Sequence, residues 1–298
     1  MIRTSLKAAA ALLFLSGAAF AADLPSRAAP PVYAVPPVFT WTGFYAGTLT
    51  GYAFSDNQTI RTVGNNDGTG GLTNTQLNVA QLRRPPSIRR DQDGFTSFGG
   101  GIGYDYQFNP GAGIVVGVAG DATLMDLDRR VGYVSPAQVS NTFVPEFSGF
   151  RQQLNWMSTI RGRVGYAFDR FLVYGTGGFA FGEVDYRAAF LRNTDRALVY
   201  SGRYNDIETG YVYGGGIEYA LPTDSFLNKF NLLSYLNLVQ SQAVTIKAEY
   251  LRYDLGSRNV LVANVLPGGP TGTYTSRFQT EGNLIRGGFT YRFGTLGF

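Results

Sequence analysis

The sequence predicts an all-β protein, an eight-stranded antiparallel transmembrane β-barrel with long extracellular loops. Three observations predict it. The chain opens with an export signal but holds no later run of the 18–20 apolar residues that a membrane helix needs, so only a closed barrel could span a bilayer. Segments of period-two alternation recur over residues 39–293, each setting an apolar, aromatic-rich face against a small or charged one. Long and tight connections alternate between these segments, the arrangement of outer-membrane barrels. A soluble exported β-protein is the competing reading; it conflicts with aromatics gathered near strand ends, which suit interfacial girdles.

Composition narrows the chemistry. Only 15% of the 298 residues are charged, against roughly 25% in an ordinary soluble domain. There is no His and no Cys, which excludes an imidazole base, a thiolate nucleophile, a disulfide framework and any His- or Cys-ligated metal. No catalytic residue, metal or cofactor is expected, and barrel enzymes that rely on a histidine are excluded. A net charge of +4, with no clustered basic helix, gives no case for nucleic acid.

The elements follow in order. Residues 1–21 read as a signal peptide, with Arg3 and Lys7 ahead of an apolar core and Ala19-Phe20-Ala21 as the cleavage pattern. Residues 22–38 hold five prolines and are expected to form a stiff, extended periplasmic tail, a plain linker rather than a dedicated spacer or contact arm. The barrel occupies 39–293, and 294–298 is a short C-terminal tail. The first strand is expected over 39–54. In 95–108, Phe98, Ile102, Tyr104, Tyr106 and Phe108 share one face opposite a glycine-rich one. In 112–124, Ile114, Val116, Val118, Ala122 and Leu124 share a face. Segment 156–168 sets Trp156, Ile160, Val164, Tyr166 and Phe168 against Thr159, Arg161, Arg163 and Ala167. Segment 171–186 carries apolar residues on both faces, so its lipid and lumen sides stay unassigned. Strands over 209–221 and 243–255 follow, and the last ends at Phe293.

The connections alternate: 55–94 long, 109–111 tight, 128–153 long, 169–170 tight, 187–208 long and 256–280 long. The pattern places four long loops of roughly 20 to 40 residues outside and both termini in the periplasm. The exception is 222–242, which should be a periplasmic turn yet is rich in Leu and Phe. Phe226, Phe230 and Leu233 fall at helical spacing there, so an interfacial helix and an early start to the next strand are equally open.

Several motifs carry a family resemblance. They are Asp23-Leu24-Pro25, the run from Phe39 through Trp41 to Gly47, the run from Arg161 to Tyr174, and the run from Lys247 to Gly256. With these the chain resembles the outer-membrane immunogenic proteins of alphaproteobacteria, small barrels related to the membrane domain of OmpA-type proteins. The resemblance implies a surface-exposed, eight-stranded barrel with an envelope-structural role and antigenicity; some members are proposed as pores or haem binders. It also implies a terminal strand read by the barrel-insertion machinery. Ile285, Phe289, Tyr291 and Phe293 fit that spacing, and the tail after Phe293 departs from the family pattern.

Candidate functional residues are the lumen-facing charges Asp121, Arg161, Arg163, Glu218, Lys247, Glu249, Arg286 and Arg292, with Asp105 near one end. Unpaired charges in a narrow interior are costly, so acids and bases should meet as hydrogen-bonded pairs. An eight-stranded lumen is just filled by side chains, which favours a structural ion-pair network over an open pore. In the first long loop Arg83, Arg84, Arg89 and Arg90 bracket two prolines. Guanidinium forks bind phosphate bidentately, so this cluster is a candidate lipopolysaccharide contact, weighed against a plain solvated loop. The expected role is a structural outer-membrane barrel and surface antigen whose partners are outer-membrane lipid, lipopolysaccharide and the insertion machinery. The alternative is a narrow pore or a ligand-binding barrel for haem or adhesion. Haem would have to be held by Tyr, since His is absent.

Overall fold

The structure, a computed structural model, describes residues 38–68, 74–136, 146–192, 195–222 and 242–293. The expected signal peptide, nearly all of the Pro-rich stretch, most of 222–242 and residues 294–298 lie outside them. Eight antiparallel strands follow one another round a closed ring: β1 (Gly43–Gly64), β2 (Ser87–Gln107), β3 (Ala112–Val134), β4 (Phe147–Phe168), β5 (Phe171–Leu191), β6 (Leu198–Ala220), β7 (Gln242–Asn264) and β8 (Tyr274–Phe293). The ring closes where β1 pairs β8, Phe44 opposite Phe293 at one end and Gly64 opposite Tyr274 at the other. The two tight turns stand where expected. Gly111 adopts φ +82 between β2 and β3, a conformation open to a residue without a Cβ, and Asp169-Arg170 joins β4 to β5.

The strands are 20–23 residues long, about twice what a tilted strand needs to cross a bilayer. Along each strand the apolar face changes sides. In the half next to the tight turns, apolar residues point outward: Ile102, Val118, Ile160, Val164 and Phe179 are all more than half exposed. In the far half they point inward, where Phe150, Tyr186, Phe190, Tyr200, Tyr274 and Phe278 form an apolar core with Met125, Leu127 and Leu154. This inversion falls inside β5. Phe171, Val173 and Phe179 face out, whereas Val184, Tyr186, Ala188 and Phe190 face in, which is why both faces of 171–186 read as apolar.

The same inversion corrects the loops. Strands run into both ends of each expected long loop, 55–94, 128–153, 187–208 and 256–280, and the connections proper are residues 65–86, 135–146, 192–197 and 265–273. Beyond the outward apolar belt the outer face becomes polar, so a pattern sought as apolar-outward disappears although the β-ladder continues. Within 65–86 a short helix, α1 (Thr75–Ala80), starts at Asn74, whose side chain accepts from the Leu77 amide at 2.8 Å. Asn78 on α1 donates to the Tyr274 hydroxyl at 3.1 Å, which seats the helix on the apolar core.

The lumen as candidate functional site

The lumen is built from the inward residues of the outward-apolar half, and it is ionic. Each of these charges sits on a strand whose neighbours in sequence point to the outside, so alternation alone delivers it inward. They meet in two layers.

In the layer nearer the tight turns, β2 supplies Asp105, β4 Arg163, β6 Glu218 and β8 Arg292. Arg163 Nη2 lies 2.6 Å from Asp105 Oδ2 and 3.3 Å from Glu218 Oε2. Arg292 Nη2 lies 2.7 Å from the same Asp105 oxygen and 3.3 Å from Glu218 Oε1. Thr245 on β7 donates to Glu218 at 2.6 Å. Both guanidinium groups also lie over aromatic rings: Arg163 over Tyr174 at 4.6 Å, and Arg292 over Trp41 at 4.5 Å and Tyr45 at 5.0 Å.

The second layer joins Asp121 of β3, Arg161 of β4, Glu249 of β7 and Arg286 of β8. Arg286 donates to Asp121 through Nη1 and Nη2, both at 2.8 Å, and to Glu249 through Nε at 2.7 Å. Arg161 bridges the same two carboxylates at 2.7 and 2.9 Å. Thr159 donates to Asp121 at 2.9 Å and Tyr174 to Glu249 at 3.0 Å. Lys247 stands 3.4 Å from Glu249. Every one of these charged side chains is buried. The two layers hold five cations, Arg161, Arg163, Lys247, Arg286 and Arg292, against the four carboxylates Asp105, Asp121, Glu218 and Glu249.

Both ends of this ionic section are stoppered by apolar packing. On the far side lies the apolar core. On the near side residues 38–42, expected to open the first strand, instead turn across the mouth before β1 begins at Gly43. Trp41 is fully buried there with Leu172, Ala167 and Ala220. Its amide donates to Gln107 Oε1 at 2.8 Å, its indole N–H to the Asp169 carbonyl at 2.9 Å, and its own carbonyl accepts from Arg292 Nη1 at 2.8 Å. Sequence reasoning missed Trp41 as a lumen residue; the signal available was a lone Trp between threonines directly after a Pro-rich tail. Replacing Trp41 by Phe keeps most of the apolar packing and removes the indole donor. The expected cost is about 1 kcal/mol in denaturant unfolding; no loss would show that the indole hydrogen bond contributes nothing.

The closed ring, the outward apolar belt and the buried charges fit one family. Over residues 8–293 the chain matches the outer membrane protein beta-barrel domain. It belongs to that family. It is also 25% identical, over 275 residues, to the 31 kDa outer-membrane immunogenic proteins of Brucella melitensis biotype 1 and Brucella suis biovar 1, a match covering 87% of this chain and 90% of each relative. Among solved structures it is similar to OprG of Pseudomonas aeruginosa, with a TM-score of 0.41 and 13% identity over 85% of this chain and 96% of that one. It is likewise similar to the outer membrane protease OmpT of Escherichia coli, with a TM-score of 0.35 and 11% identity over 86% and 98% of the two chains.

In this outer-membrane barrel the outward belt is the surface that lipid covers. Its edge by the tight turns is marked by Phe44, Tyr106, Phe108, Tyr166, Phe168 and Tyr219, and its far edge by Phe98, Trp156, Phe181 and Tyr211. Ile285 and Phe289 stand exposed on the outer face of β8, and Tyr291 and Phe293 follow on that face, packed edge-on at 4.9 Å. The loop arginines do not act together. Arg84 is 1% exposed and points inward, 2.8 Å from Glu146, while its guanidinium donates to the Phe147 carbonyl at 2.6 Å and lies over the Phe190 ring. Arg90 is buried too and donates to Gln58. A four-arginine phosphate clamp on this segment is therefore not formed: alternation along the extended β1–β2 hairpin turns Arg90 inward, and the chain folding back over the barrel rim buries Arg84.

Proposed function

We propose that this outer-membrane barrel is a structural component of the envelope and a surface antigen, with its lumen closed to ions. Residues 1–21 direct export and are removed, residues 22–38 remain in the periplasm, and the tight turns face the same side. The polar outer faces of the far halves then stand outside the cell as a β-wall topped by the connections between strands. The terminal strand, ending on Phe293 with Tyr291, Phe289 and Ile285 on one face, is what the insertion machinery would read.

The observation that carries the closed lumen is its continuous packing. Trp41 stoppers one mouth, two ionic layers cross-link β2, β3, β4, β6, β7 and β8, and an apolar core with the buried polar side chains Gln58, Arg90, Gln152 and Thr280 fills the far half. Moving an ion past Arg161, Arg163, Arg286 and Arg292 would require breaking charge-assisted hydrogen bonds on both sides of the lumen at once. The purified barrel in planar bilayers is accordingly expected to be electrically silent. Steady, reproducible conductance steps from the wild-type protein would overturn the closed lumen and favour a narrow pore.

A further inference from the structure

The outer face of the barrel beyond the far aromatic edge carries a feature that the lumen does not require. Arg130, Arg151, Arg187 and Arg203 stand directly opposite one another in register across β3, β4, β5 and β6. Phe150, Tyr186, Ala188 and Gly202 beside them are buried, so alternation turns the arginines outward. Like charges placed opposite one another repel, and here three such pairs run consecutively in a row about 14 Å long.

Two carboxylates offset part of this charge and fix the guanidinium planes. Asp128 accepts from Arg151 Nε and Nη2 at 2.7 and 2.6 Å, and Arg130 approaches the same carboxylate at 3.7 Å. Asp185 accepts from Arg187 Nε and Nη2 at 3.1 and 2.7 Å, and from Arg203 Nη2 at 3.0 Å. The Nη1 groups of Arg151 and Arg187 have no acceptor among the described residues, and the side chains of Arg130 and Arg203 are 72% and 58% exposed. The row therefore presents fixed, unused guanidinium edges to the outside.

Its height matters as well. Trp156 at the far aromatic edge is paired with Glu183, and Arg187 follows four residues later on β5. That is about 13 Å along the strand and roughly 10 Å along the membrane normal for a tilted strand. Arginine side chains reach back toward such a boundary, which places their heads at the level of lipid headgroups.

We propose that this row binds the phosphate groups of the outer-leaflet glycolipid, lipopolysaccharide. Phosphate accepts from paired guanidinium N–H groups in the geometry that the row offers, and its charge removes the repulsion within the row. The inference rests on the reading that the far half of the barrel faces outward from the cell.

The test uses the full-length barrel purified from outer membranes and freed of bound lipid. Replacing all four arginines by Gln is expected to weaken lipopolysaccharide binding about tenfold or more. Dephosphorylated lipopolysaccharide should bind the wild type about as weakly, and inorganic phosphate at millimolar concentration should not displace the lipid. Unchanged affinity in the Gln variant, or unchanged affinity for the dephosphorylated lipid, would overturn the proposal. Displacement by inorganic phosphate alone would reassign the row to a free anion. If the quadruple variant does not assemble, Arg130→Gln with Arg203→Gln serves instead, with about a threefold loss expected. Orientation is tested separately. The chain has no cysteine, so Asp195→Cys in the 192–197 connection gives one site for an impermeant maleimide on intact cells. Absence of labelling there would overturn the outward-facing reading itself, whatever the lipid measurements give.

Discussion

Replacing Arg286 by Met is expected to destabilise the barrel by about 3–5 kcal/mol, the usual cost of removing one partner from a buried ionic cluster. Arg286 supplies three of the short hydrogen bonds in its layer, and without it Asp121 and Glu249 face each other with only Arg161 and Lys247 between them. The Met stem fills most of the vacated space, so the loss reports charge rather than a cavity. Adding Asp121→Asn to the same chain restores the original excess of one cation in the layer and should recover a good part of the loss. Urea unfolding in detergent or vesicles measures both variants. A single variant within about 1 kcal/mol of the wild type would show that the ionic layers are not what holds the lumen together, and a double variant no better than the single would show that charge balance is not the cause.

Two adjacent glycines give the second large effect, and they should behave oppositely. A Cβ on Gly178 would stand 2.0 Å from the Ile160 carbonyl oxygen and 2.7 Å from the Arg161 Cα, both backbone atoms of the neighbouring strand. Neither can yield without shifting β4 against β5 and carrying Arg161 away from Asp121. Gly178→Ala should therefore cost about 3 kcal/mol or more, or prevent closure altogether. Gly177 faces outward, and its nearest neighbour to a new Cβ is 3.7 Å away, so Gly177→Ala should lie within about 0.5 kcal/mol of the wild type. The readout is the compact, heat-modifiable form on gel electrophoresis together with its unfolding midpoint. Equal behaviour of the two variants would refute the close approach of β4 and β5.

These effects bear on what could be read from sequence. The nine charged residues that meet in the lumen were legible because each alternates with outward Ile, Val, Phe, Tyr or glycine, so the face follows from parity alone. Their partners were not legible. Arg286 and Asp121 are 165 residues apart and meet only because the ring closes β8 onto β1, a fact that no local pattern encodes. The tight turns were legible from Asn109-Pro110-Gly111 and Asp169-Arg170. The length of the strands was not, because in the far half the apolar and polar faces exchange sides, and a search for outward apolar residues stops at Phe179 or Phe181. Arg84 and Arg90 are not legible for the same reason: the sequence reads as an exposed loop where Arg84 belongs to a buried rim and Arg90 to a continuing strand. The arginine row has no signature in sequence, because its members are scattered over four strands and adjoin only in register.

The stopper at the near mouth also fixes an order of events in assembly. Trp41 precedes β1, but its carbonyl is held by Arg292 near the end of β8 and its indole by Asp169 between β4 and β5. It can reach its buried position only after the last strand has arrived. The chain has just one other tryptophan, Trp156, at the lipid-facing aromatic edge beside Phe181. During refolding into vesicles the two fluorophores thus keep separate time: Trp156 registers entry into lipid, and Trp41 registers the moment the cylinder becomes complete.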